Sequence, residues 1–368
     1  MLWAILGILV ILISLEDAFE TIILPRSVVR RLQLTGLFYD LTWRIYHPII
    51  VRMKNRRPRP WLLAAYPPLT VILLIIMWAS LLVLGFALVQ YGFQVPFSQS
   101  EAPAFGDTLY FSGVTLFTLG YGDMIPISGF GKTVAVLESA CGFGFLALII
   151  GFVPVLYSAF SRREHTILQL DTRAGSDPSA YELLKRYTSA GVLPELQTLL
   201  KDWEDLSSIL LENYLSFPVL AYYRSQHEHQ SWLRSLVAIM DTCAFIESGL
   251  RDDEPWMRGL HFQARNTFAM ARHLLVDLAY LLNAKPASGP ARLSVEDHRQ
   301  MYESLKAMGM PLKPCEHCNS RLGEIGEMYE PFARSLAYEI ILHMPDWIPP
   351  EGLVDNWQTS AWEGVRHF

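Results

Sequence analysis

Cysteine is scarce in this 368-residue chain, and charge is thin. The four cysteines, Cys141, Cys243, Cys315 and Cys318, give no disulfide framework. Only 18% of residues are charged against 51% apolar, and mean hydropathy is +0.23, which fits a part-membrane protein better than a soluble one. The scarcity is local. Trp61 to Ser100 holds no charged residue, and Lys132 to Phe160 holds only Lys132 and Glu138. Other absences exclude whole classes of function. No helical H-E-x-x-H or Ser-His-Asp arrangement is legible, so no enzyme is expected. Gly142-Phe-Gly144-Phe-Leu-Ala147 matches a dinucleotide fingerprint only as text, because it lies in an apolar run and follows no strand. No row of regularly spaced arginines crosses an apolar run, which argues against steep voltage sensing. There is no βαβ pattern and no internal repeat.

The charge that is present falls in blocks. Residues 26–60 carry nine Lys/Arg and one acid, a net of +8. Residues 161–368 carry 20 basic and 28 acidic residues, a net of −8, which argues against a nucleic-acid partner. A membrane-spanning helix needs about 20 apolar residues, and both apolar runs supply them. Basic loops stay in the cytoplasm, so residues 26–60 are expected inside, with Arg162 and Arg163 marking the inner end of the second run. The connection between the runs has three acids and no Lys or Arg before Lys132. That suits the outer face, where acids concentrate cations.

Five segments follow. Residues 1–24 are expected to form an uncleaved membrane helix, since the basic start and small-residue cleavage site of a signal peptide are missing. Glu16, Asp17 and Glu20 lie at its inner end, as a solvated face opposite Arg26, Arg30 or Arg31, or as a protonatable cluster. Residues 25–60 form a basic segment. Leu34, Leu37, Phe38, Leu41 and Ile45 repeat there at helical spacing, the pattern of an amphipathic helix on the inner leaflet. The Arg56-Arg57-Pro58-Arg59-Pro60 run ends it and could meet anionic lipid. Residues 61–163 hold the two spans: an outer helix opened by Pro67-Pro68, a short helix from Phe105 to Phe117, and an inner helix from Gly131 to Phe160. Residues 164–345 read as helical throughout. Asp177-Pro178 is an expected helix start, Gly191 a C-cap and Ser294-x-x-Asp297 a capping box, with apolar periodicity over 193–215, 232–250, 260–283 and 321–343. Residues 346–368 hold Trp347, Trp357 and Trp362, as a strap docked on the domain or a partner-binding tail. The fold class expected is all-α: a membrane pore domain with a helical cytoplasmic domain.

Residues 118–123 read T-L-G-Y-G-D, between the two apolar runs. Two glycines around a tyrosine let the backbone aim successive carbonyl oxygens the same way. Asp107-Thr-Leu-Tyr-Phe-Ser-Gly-Val-Thr-Leu-Phe117 precedes the hexapeptide and Met124-Ile125-Pro126 follows it. The stretch from Ala102 to about Arg163 resembles the pore-loop and inner-helix half of the two-transmembrane potassium-channel family. The resemblance implies a homotetramer, because one such loop is a quarter of a pore. It implies that the carbonyls of Thr118, Leu119, Gly120 and Tyr121 replace the water shell of K⁺, and that the Thr118 hydroxyl adds the innermost site. Gly120 and Gly122 would take backbone angles that a side chain resists. Tyr121 would brace the filter and Asp123 would cap its outer end. K⁺ is the permeant ion and membrane lipids the surroundings; no cofactor is implied.

Two residues depart from the family pattern. Leu119 stands where valine or isoleucine is usual, and Phe117 replaces a threonine, so its ring is expected to pack behind the filter. Gly142 lies at the family's hinge position, with Gly144 and Gly151 as alternatives and close packing as the plain reading. Pro154 should kink the lower helix, leaving Val155 to Phe160 as the inner mouth. Glu138 would brace the filter from behind or face the cavity.

Cys315-Glu-His317-Cys318 has the spacing of one zinc knuckle. No second C-x-x-C exists, so His298, His343 or the His227/His229 pair would have to complete the site, and His227-Glu-His229 reads more simply as a solvated helix face. The function expected is a potassium-selective channel of a bacterial inner membrane, gated by its cytoplasmic domain. The rivals are a weakly selective cation channel and a non-conducting, membrane-tethered sensor or scaffold.

Overall fold

The computed structural model describes residues 1–24, 34–53, 59–225, 230–314, 318–350 and 355. Arg26, Arg30, Arg31, Arg56, Arg57, Pro58, His227, His229, Cys315, His317, Trp357 and Trp362 lie outside the described residues. Among the described residues there are helices and no strand, so the protein is all-α. The chain divides into two compact units, Met1–Ser158 and Ala159–Phe368.

The first unit holds α1 (Leu2–Ile22), α2 (Leu34–Arg52), α3 (Arg59–Gly92), α4 (Phe105–Leu116) and the first part of α5 (Gly129–Ala174). Helices α1, α3 and α5 are long and apolar enough to cross a membrane. Lipid tails are as apolar as leucine, so such helices are held together by close contact and by polar pairs. Both are present between α1 and α3. A Cβ on Gly7 would lie 2.5 Å from the Gly85 carbonyl oxygen, and one on Gly92 would lie 2.3 Å from the Ala4 nitrogen. At the other end of α1, the Asp17 carboxylate is buried. It accepts from the Trp78 indole of α3 at 2.8 Å, from the Thr35 hydroxyl of α2 at 2.7 Å and from the Thr35 N–H at 3.2 Å. Asp17 points inward and ties three helices, while Glu16 is exposed and Glu20 half-buried.

Helix α2 packs one face on α3 and leaves another exposed. Trp43 packs at 4.8 Å on Tyr66 of α3, Tyr46 packs at 4.9 Å on the same ring, and the Tyr46 hydroxyl donates to the Leu62 carbonyl at 2.8 Å. Leu37, Leu41, Ile45 and Ile49 form an exposed stripe. Pro67 and Pro68 do not open α3, which starts at Arg59 and carries them in its interior. There the Thr70 hydroxyl donates to the Pro67 carbonyl at 2.9 Å.

Helix α5 does not stop near Phe160. It runs on to Ala174, because residues 161–174 contain neither glycine nor proline and repeat Ile167, Leu170 and Ala174 as a buried stripe. Gly175, with φ +93°, ends it in the left-handed conformation a C-terminus favours.

The second unit continues with α6 (Ala180–Ser189), α7 (Leu196–Ser216), α8 (Trp232–Gly249), α9 (Pro255–Leu281), α10 (Val295–Ala307), α11 (Cys318–Glu327) and α12 (Glu330–Glu339). A short 3₁₀ turn, Pro218–Tyr222, follows α7. Helix α8 is buried on nearly every side and forms the centre. Its Asp241 is fully buried and is bonded to Arg292 and the Tyr329 hydroxyl. Arg292 also donates to Glu330 at 3.0 Å and to the Pro345 carbonyl at 2.9 Å. Burial would lower the Arg292 pKa, but the charges of Asp241 and Glu330 outweigh it and hold the guanidinium protonated. Trp347 is buried under this cation, 5.7 Å from its centre, and Asp355 accepts from Arg186 at 2.6 Å. Both residues dock on the domain.

Two helix boundaries differ from expectation. Ser179, not Asp177, caps α6 by accepting from the Glu182 N–H at 3.2 Å. The single helix expected over 321–343 is broken into α11 and α12, because Pro331 supplies no N–H. Of the capping box expected at Ser294 and Asp297 the N-cap half forms, with the Ser294 oxygen 3.0 Å from the Asp297 nitrogen, while the Asp297 carboxylate accepts from the Ser294 hydroxyl at 2.6 Å; Gly191 takes φ +69° just after α6.

Candidate functional site

Helix α4 is capped at its start by the Asp107 carboxylate, which accepts from the Ala104 N–H at 2.9 Å. The C-terminal end of a helix carries partial negative charge, and here the chain passes straight from that end into Thr118. The Leu119 N–H still bonds to the Val114 carbonyl at 2.9 Å, which fastens the hexapeptide to the helix. From there φ alternates. Thr118, Gly120 and Gly122 have φ of +57°, +58° and +77°, while Leu119 and Tyr121 keep negative values. Thr118, Gly120 and Gly122 thus take the left-handed region while their neighbours do not. Glycine takes such angles freely. A β-branched threonine does not, and strain of this kind gathers at functional sites. Among the described residues, the carbonyls of Thr118, Leu119, Gly120 and Tyr121 accept no backbone hydrogen bond.

The Asp123 end of the hexapeptide is held from two directions. The Tyr110 hydroxyl of α4 donates to the Asp123 carboxylate at 2.8 Å, and the Gln99 amide donates to the Asp123 carbonyl at 2.8 Å. Phe117, Leu119 and Tyr121 are 58%, 54% and 67% exposed. The Phe117 ring is thus not packed behind the filter by its own chain, as it was expected to be.

Glu138 of α5 is fully buried behind α4, which excludes the cavity-facing alternative. Its carboxyl group is bonded to the Ser112 hydroxyl of α4 and accepts from the Gln90 amide of α3 at 2.8 Å. Ser112 also lies 2.8 Å from the Val83 carbonyl. These polar partners clamp the pore-loop helix between the two long helices. Sequence reasoning missed Ser112, Gln90 and Tyr110. The available signal was a buried-type polar residue in an apolar run, such as Gln90 in the charge-free stretch.

Gly142 is a close-packing residue. A Cβ there would lie 2.0 Å from the Leu116 carbonyl oxygen, at the end of α4. Gly144 and Gly151 have open space where a Cβ would be. Pro154 sits inside α5, and Val155 is exposed. Phe160 lies in the second unit, its ring 5.4 Å from Tyr223 and beneath the Arg163 guanidinium at 5.1 Å. Arg163 is 2% exposed and is bonded within the second unit.

The zinc candidates do not come together among the described residues, where no group of three His, Cys, Asp or Glu could hold a metal. Cys318 is buried, with its thiol toward the Pro314 carbonyl at 3.8 Å. His298 is buried between the rings of Phe245 and Tyr302, and burial pushes its imidazole below the ordinary value of 6.5. His343 is exposed.

Two long apolar helices, a short helix between them and a hexapeptide with positive φ at Thr118, Gly120 and Gly122 are the features to set against known proteins. Residues 71–157 match the family described as "Ion channel". This stretch is similar to an ion-channel domain. The chain is 28% identical over 183 residues to the uncharacterized membrane protein YdjJ of Bacillus subtilis, covering 49% of this chain and 52% of that protein. It is 33% identical over 87 residues to protein LctB of Geobacillus stearothermophilus, covering 21% of this chain and 64% of the other. It is 37% identical over 62 residues to "Putative potassium channel protein RPA4233" of Rhodopseudomonas palustris, covering 17% and 15%. The matches thus span about half to two thirds of the first two relatives' lengths. No solved structure matches the chain.

Proposed function

We propose that four copies of this chain form one potassium-selective channel, with the ion path lined by the carbonyls of Thr118, Leu119, Gly120 and Tyr121. The observation that carries this reading is the alternation of φ at Thr118, Gly120 and Gly122. Alternating hands of this kind would aim successive carbonyls at a common axis, and carbonyl dipoles replace hydration water without placing a full charge in the path. The exposure of Phe117, Leu119 and Tyr121 supports assembly, because a second copy would cover them. The name of the Rhodopseudomonas palustris relative supports the choice of ion. The basic block at 26–60 supports a bacterial inner membrane with the C-terminal unit in the cytoplasm, where that unit would act as a gate control.

Purified protein in liposomes tests the reading. A K⁺ gradient should drive flux that Na⁺ does not, and Gly120→Ala should abolish it. Equal K⁺ and Na⁺ permeability would favour the weakly selective channel, which the departures at Phe117 and Leu119 suggest. No flux from a folded tetramer would favour a sensor or scaffold.

A further inference from the structure

We propose that Arg163 is the positioning residue through which the C-terminal unit acts on the pore. The inference rests on the reading of this chain as a gated channel. Arg163 lies on α5, five positions after Ser158, the last residue of the first unit. Its Nε donates to the Glu164 carboxylate at 3.0 Å. Its Nη1 donates to the Tyr214 hydroxyl at 3.3 Å and to the Leu220 carbonyl at 3.0 Å, and its Nη2 donates to the Tyr223 carbonyl at 2.9 Å. The same guanidinium covers Phe160, whose ring packs on Tyr223. One buried cation therefore gathers the end of α7, the 3₁₀ turn and the residue after it onto α5. Glu164 is engaged in turn by the Ser225 hydroxyl at 3.2 Å.

Stability alone is a poor reason for this arrangement. Burying an ion costs several kcal/mol, and a well-packed apolar side chain commonly holds as firmly. What a planar guanidinium adds is direction, since its donors meet fixed acceptors in one geometry. Two of those acceptors are backbone carbonyls, which cannot rotate away as side chains do. A shift of residues 220–223 must then carry the α5 backbone with it. Between Gly151 and Gly175 the sequence offers no glycine to absorb such a shift.

The test uses the full chain in planar bilayers, with Arg163→Gln, Arg163→Lys, the matched control Arg292→Lys, and two glycines inserted between Ser158 and Ala159. Arg163→Gln and Arg163→Lys should change open probability at least tenfold, with unitary conductance and the K⁺/Na⁺ reversal potential unchanged. Arg292→Lys, which disturbs a different buried guanidinium of the same domain, should leave open probability within twofold. The insertion should reproduce the Arg163→Gln value, and the two combined should change nothing more, because both cut one route. Unaltered gating in the Arg163 variants overturns the proposal. So does an equal effect of Arg292→Lys, or additivity with the insertion. If Arg163→Gln does not assemble, unaltered gating in Arg163→Lys and in the insertion overturns it as well. A wild-type protein that passes no ion sinks the channel reading itself, which is distinct from a conducting wild type whose Arg163 variants gate normally.

Discussion

Gly142 of α5 lies against the Leu116 carbonyl so closely that a Cβ would stand 2.0 Å from the oxygen. The neighbour is backbone at the end of the pore-loop helix, so it cannot swing aside as a flexible side chain would. Gly142→Ala should therefore push α4 and the attached filter out of place. The expected outcome is loss of K⁺ flux or of assembly. Gly144→Ala and Gly151→Ala, which meet open space, should conduct. If the hinge role mattered more than packing, the Gly142→Ala protein would assemble normally and differ only in gating.

Glu138 holds the same helix by polar contact. Glu138→Ala would strand the Gln90 amide in a fully buried site, and a stranded donor costs about 1–3 kcal/mol. Lower thermal stability and weaker discrimination of K⁺ from Na⁺ in liposome flux are expected. Glu138→Gln keeps the side-chain shape and one acceptor oxygen, so it should retain more of both. Equal behaviour of the two variants would show that the contacts to Ser112 and Gln90 do not support the filter.

The backbone of residues 120–122 was legible in the sequence because positive φ at Gly120 and Gly122 favours glycine, and glycine leaves a mark in the letters, whereas the positive φ at Thr118 leaves none. The long helices were legible because charge is absent where they run. What hid was non-local. Arg163 looks like any basic residue after an apolar run. Its burial comes from Tyr214, Leu220 and Tyr223, which are 51, 57 and 60 residues away. Asp17 hid for the same reason, since its partner Trp78 is 61 residues on and nothing local sets it apart from Glu16 or Glu20. The extension of α5 past Phe160 was hidden by a change of composition that looks like a boundary but contains no helix breaker.

Asp17 should behave as a structural pin between α1, α2 and α3. Asp17→Ala strands the Trp78 indole and the Thr35 N–H, while the Thr35 hydroxyl keeps Thr21 at 3.0 Å, so the detergent-solubilised protein should melt at a lower temperature. Trp78→Phe removes one stranded donor. The double variant should therefore lose less stability than the sum of the two singles, by a coupling of about 0.5–3 kcal/mol. Strict additivity would mean that the two side chains do not interact.

His298 makes the stability of the C-terminal unit depend on pH. Burial between Phe245 and Tyr302 disfavours the imidazolium in the fold, so its pKa lies below 6.5, while the unfolded chain takes up the proton near 6.5. Below that value the unfolded state binds the additional proton, and linkage makes the fold less stable. Stability is thus full above about pH 6.5 and falls as the pH drops toward the folded-state pKa. Melting of the full chain should shift downward between pH 7.5 and 5.5. His298→Asn, which cannot titrate, should flatten that shift. Glu247, held below the ordinary carboxylate value by His261 and Arg265 although burial opposes them, adds its own loss only in more acidic solution. An unchanged pH dependence in His298→Asn would assign the shift to another group.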